Sequence, residues 1–99
     1  YQAEVTSGVA NTPLVHWFYP SGVVTGALMV SRTIRIENTS QNVIQISLDD
    51  QPPTVGTAVT WIPFAAGEVR YIDTVRDHLI SRCPTATSQT FEIEILGDD

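Results

Sequence analysis

The stretch Arg32–Asp50, RTIRIENTSQNVIQISLDD, decides the fold class. Ile34 and Ile36 fall on one side of an extended chain, and Arg35 and Glu37 on the other. After the polar run Asn38-Thr39-Ser40-Gln41-Asn42 the alternation resumes, with Ile44, Ile46 and Leu48 inward and Gln45 and Ser47 outward. Successive side chains of a strand point to opposite faces. A period of two in β-branched residues, bounded by Asn, Ser and Asp, therefore marks half-buried strands. The stretch predicts two strands joined by a polar turn.

Downstream the same grammar continues. Asp49–Gly56 is a loop, because Pro52-Pro53 cannot sit in a central ladder. Ala58–Phe64 (AVTWIPF) is the next strand, with Trp61 expected beside Phe91 between two layers. Glu68–Asp73 follows the Ala65-Ala66-Gly67 turn. Thr74 is placed to cap a single helical turn over Val75–His78, with Asp77 three residues on. Leu79–Cys83 is stopped by Pro84. Gln89–Leu96 turns Phe91, Ile93 and Ile95 inward and Glu92 and Glu94 outward, and Gly97-Asp98-Asp99 reads as a frayed tail. No segment of about ten residues has helical periodicity. The expected fold is all-β, a small antiparallel β-sandwich or barrel of about seven or eight strands.

Upstream the character changes. Glu4 is the sole formal charge in residues 1–29. Leu14–Tyr19 (LVHWFY) is apolar on both strand faces, which is the pattern of a strand covered on both sides. The region reads either as a first hairpin or as a weakly charged arm lying along another molecule, with residues 30–99 forming the β-sandwich domain. If it is an arm, Leu14, Trp17, Phe18, Tyr19, Val24 and Met29 are the interface candidates. Trp17 and Phe18 would be anchors, and Arg32 and Arg70 would add directional ion pairs.

Composition narrows the function classes. The chain carries 11 acidic and 5 basic residues, a net charge of −6, and its basic residues are all arginines. Nucleic-acid binding needs a concentrated positive footprint, so no nucleic-acid role is expected. No apolar run is long enough for a membrane span, and no signal-peptide pattern is visible. The lone Cys83 excludes an intrachain disulfide and is expected to be a buried apolar residue. His16 is expected at a strand edge or interface, and His78 in a loop. No G-x-S-x-G elbow or metal-ligand spacing is present, so neither an enzyme nor a cofactor is expected, although the Asp49-Asp50 loop has oxygen-rich chemistry that suits calcium. Trp17, Tyr19, Trp61 and Tyr71 are potential stacking platforms for a sugar.

From Thr33 onward the chain resembles small structural proteins of tailed-phage virions, among them head decoration proteins and spike or fibre-base modules. The resemblance lies in Ile34-Arg35-Ile36-Glu37-Asn38-Thr39 before a turn, Val43–Asp50 closed by acids, the P-x-A-x-G-E turn in Pro63–Tyr71, and the T-F-E-I-E-I strand Thr90–Ile95. It implies a structural virion protein, assembled in the host cytoplasm, that binds its own copies or neighbouring virion proteins. A carbohydrate- or receptor-binding β module is the alternative.

Overall fold

The computed structural model describes residues 2–9, 12–19, 28–48, 60–85 and 87–97. These contain β1 (Gln2–Thr6), β2 (Leu14–Trp17), β3 (Ser31–Glu37), β4 (Ile44–Ser47), β5 (Ile62–Phe64), β6 (Val69–Asp73), β7 (His78–Arg82) and β8 (Thr90–Gly97). They form two four-stranded antiparallel sheets, β1-β8-β3-β6 and β2-β7-β4-β5. The all-β sandwich expected from the alternation is the fold observed.

The pairing has a simple rule. β1 pairs with β8, β2 with β7, β3 with β6 and β4 with β5. The chain is thus one long hairpin whose halves match strand for strand, rolled so that successive pairs fall in opposite sheets. Contacts β3·β8 and β4·β7 close each sheet. This is the order of an eight-stranded jelly roll.

The core lies between the sheets. Ile34, Ile36, Phe91, Ile93 and Ile95 meet Ile44, Ile46, Phe64, Leu79 and Phe18, all essentially without exposure. Each such side chain contributes roughly 1.5–3 kcal/mol by leaving water. The inward residues of β3, β4 and β8 are those the alternation assigned.

Several expectations change on this scaffold. β3 and β4 are not partners. They lie in opposite sheets, and the polar turn between them is the corner that crosses the sandwich. Asn38 builds that corner from within. It is fully buried, its Nδ2 donates to the carbonyls of Asn42 (2.7 Å) and Phe64 (3.0 Å), and its Oδ1 accepts from the Ser40 amide (3.0 Å) and hydroxyl (2.7 Å). Its backbone amide donates to Glu68 and its carbonyl accepts from Gly67, whose φ of 79° is one a glycine adopts at no steric cost. Trp61 does not fill the core. Register Ile46↔Ile62 and Ile44↔Phe64 turns Ile62 and Phe64 inward, leaving Trp61 half-buried on the outer face beneath Arg82. Residues 74–77 form no helical turn, because their backbone groups are spent on β3: Ser31 donates to Arg76, and Thr74 donates to Arg32. His78 is not a loop residue but the first residue of β7. Of the Ala58–Phe64 strand only Ile62–Phe64 is extended and paired: Thr60 and Trp61 lie outside the strand, and residues 58 and 59 lie outside the described residues.

Residues 2–6 and 14–17 are not set apart from the rest, and β1 and β2 do not form a hairpin with each other. β1 is an edge of one sheet through β8, and β2 an edge of the other through β7. The two-sided apolarity of Leu14–Tyr19 has a partly local origin. Phe18 enters the core, and its amide donates to Asp77 while its carbonyl accepts from Met29.

Candidate functional site

A sandwich has open edges, and edges with unpaired backbone groups invite strand addition unless charge, proline or irregularity blunts them. The four edge strands here are β1, β6, β2 and β5. β1 carries Glu4. β5 carries Pro63, which lacks an amide donor. β6 carries Asp73 and an inward-pointing Arg70. That guanidinium sits over the Phe64 ring at 4.8 Å, bonds Glu68, and donates to the Pro63 carbonyl at 3.2 Å, so it caps the open side between β6 and β5. The Ala65 amide and then Arg70 hold the Glu68 carboxyl below the usual carboxylate range. β2, Leu-Val-His-Trp, has neither proline nor a side chain with a permanent charge.

β2 is built as follows. His16 faces inward, with its Nε2 2.6 Å from the Ser81 hydroxyl and its ring edge-on to Phe91 at 5.5 Å. Burial lowers its pKa to about 4, so it is neutral at pH 7. Val15 and Trp17 face outward, opposite Ile80 and His78. Leu14 and Trp17 are each 43% exposed, one on each strand face. The Phe18 amide bonds Asp77, so alternation along an antiparallel pair directs the Val15 N–H and C=O away from β7, to the side where no described strand lies.

Beside Trp17 lies a second histidine. The indole and the His78 ring are 4.8 Å apart, tilted by 40°. His78 Nδ1 is 2.9 Å from an Asp77 carboxylate oxygen, while its Nε2 is buried without a hydrogen-bond partner. The Arg76 guanidinium bonds the His78 carbonyl at 2.5 Å and the Leu48 carbonyl. Ile80 and Ser47 are fully buried although they face outward, so this side of the sandwich is not a plain solvated face.

The interface candidates do not converge. Leu14 and Trp17 share β2 and Tyr19 is half-buried just beyond it, whereas Phe18 is a core residue and offers no free surface. Met29 packs half-buried against the core. Val24 lies outside the described residues, as does the Asp49-Asp50 loop considered for calcium. Arg70 is on the opposite flank of the molecule from β2. Arg32 is exposed at the β3 bulge, where a groove of about 680 Å³ runs between Val30 and Val75 with Asp73 on its wall.

The outer face of the other sheet carries the outward acids of three strands. Registers Glu4↔Glu92 and Glu92↔Glu37 put three glutamates in one row across β1, β8 and β3. Arg35, paired in register with Glu94, donates to Glu37 at 2.5 Å, and this bond raises the guanidinium pKa. Among the described residues no group of three or more His, Cys, Asp or Glu side chains is placed to hold a metal ion. Cys83 is buried, with its sulfur 3.0 Å from the Thr85 hydroxyl.

What sequence reasoning missed is the Trp17–His78–Asp77 group. The signal was present in the alternation of His78, Ile80 and Arg82, which extends the β7 pattern one residue earlier than Leu79. Comparison with protein-family models, with curated proteins and with solved structures gives no match.

Proposed function

We propose that this jelly roll is a structural subunit of a virion that assembles by protein–protein contact, with β2 as its docking edge and a second copy as the first partner. One observation carries the reading: of the four edges, β2 alone lacks proline and permanent charge, and it presents Leu14 and Trp17 half-exposed. A chain of net charge −6 repels its own copies, so self-contact is cheapest where charge is absent. Antiparallel addition of β2 to its symmetry mate is isologous and uses the Val15 backbone groups, which have no partner among the described residues. Jelly rolls serve viral capsids and lectins alike, so the fold by itself does not choose between them.

The test is light scattering on wild type, Trp17→Ala and Tyr71→Ala over a concentration series. Tyr71 is 64% exposed on the other sheet and serves as control. Oligomers in wild type and Tyr71→Ala that are lost in Trp17→Ala support the proposal. A wild-type monomer throughout, or equal loss in both variants, overturns it. The second reading, a glycan- or receptor-binding module, rests on Trp17 as a platform beside the exposed Asp77 carboxylate. Binding on a glycan array that disappears with Trp17→Ala would favour it instead.

A further inference from the structure

Both histidines of the chain, His16 and His78, lie on the seam between β2 and β7, one inside the sandwich and one outside. We propose that this seam is an acid-sensitive latch: protonation of His16 releases β2 from β7 while the β3·β8 framework stays closed.

The geometry supplies the mechanism. Among the described residues His16 makes a single hydrogen bond, with Ser81, and its ring meets Phe91 edge-on. β7 brings Leu79 and Ser81, with Cys83 next on that face. β8 brings Phe91, and β1 brings Val5, the register partner of Phe91. No carboxylate faces it from these elements to receive a charge. A protonated imidazole there has one hydroxyl for two N–H donors, and the cheapest escape is outward, since β2 is an edge strand of four residues. His78 lies on the other face of the seam. Asp77 and the Arg76 guanidinium are its charged neighbours.

The thermodynamic direction is fixed. His16 binds its proton near pH 4 when seated and near 6.5 when β2 is open, so acid favours the open form between these values. From pH 7 to pH 4.5 the opening equilibrium shifts by about 50-fold. The latch stands on the seam alone; its effect on assembly rests on the reading of β2 as the docking edge.

Hydrogen exchange, corrected for intrinsic rates, tests it at pH 7 and pH 4.5 on the full chain. Amides of residues 16 and 18 should lose about 50-fold in protection, and those of residues 34, 36, 93 and 95 should change little. His16→Gln, which keeps a donor for Ser81 but does not titrate, should remove the pH dependence. Equal loss in both regions, no loss at the seam, or an unchanged pH dependence in His16→Gln overturns the latch. If His16→Gln does not fold, NMR titration of wild-type His16 decides: a midpoint near 4 to 5 supports it and one at 6.5 overturns it. Light scattering at neutral pH separately tests the docking edge, so failure of one does not imply failure of the other.

Discussion

The β3·β8 pair and the β2·β7 seam are both antiparallel ladders, yet they are made of different materials. β3·β8 places Ile34 and Ile36 against Ile95 and Ile93 on its inner face, and Arg35, Glu37, Glu92 and Glu94 on its outer face. It separates apolar from charged groups cleanly. The β2·β7 seam mixes them. It seats a neutral histidine in the core, leaves Trp17 half-exposed, buries the outward-facing Ile80, and orphans one nitrogen of His78. The first arrangement holds the fold. The second keeps polar groups where burial is costly and apolar groups where water reaches them. Such local exceptions to an otherwise consistent pattern are where function is expected.

Substitutions sharpen this contrast, beginning with the largest effect. Ile95→Ala empties a buried site on the inner face of β8 and should cost about 3–4 kcal/mol of global stability, read from the shift in urea midpoint. A cost comparable to that of a surface substitution would contradict the role of β8 as framework. Gly8→Ala tests the seam from its corner. A Cβ there would lie 2.4 Å from the Thr12 carbonyl oxygen and 2.7 Å from the Leu14 amide nitrogen, all backbone that cannot swing aside. The Gly8 carbonyl also accepts the Cys83 amide, at the end of β7. The variant should lose about 1–3 kcal/mol, and hydrogen exchange should show the loss concentrated at β2. Glu4→Gln has the smallest effect and the opposite sign. It relieves one repulsion in the Glu4–Glu92–Glu37 row and should raise stability by a few tenths of a kcal/mol at low salt. The gain should shrink as salt is added, because exposed charges are screened.

Much of the framework was legible in the sequence because its strands keep one face apolar. Ile34, Ile36, Ile44, Ile46, Phe91, Ile93 and Ile95 alternate without interruption, and burial follows directly from that period. Pairing was not legible. Periodicity states which way a side chain points but not which strand lies beside it, so β3 and β4 looked like neighbours although Asn38 carries the chain across the sandwich between them. Trp61 was misplaced for a related reason: Pro63 and Trp61 share one phase and Ile62 and Phe64 the other, and size favoured the wrong one. The candidate site was half legible. The apolar, uncharged β2 stood out, but His78 and Asp77 come from a distant part of the chain and are brought to Trp17 only by the β2·β7 pairing.

The central claim is that β2 is an open edge for self-association, and Val15→Pro tests it most directly. Proline there removes an outward-facing amide donor while leaving the bonds of His16 and Phe18 to β7 in place. Circular dichroism first establishes that the variant keeps its β fold. Light scattering across a concentration series should then show wild type forming oligomers and folded Val15→Pro remaining a monomer. Oligomers of the same mass in both would contradict the account.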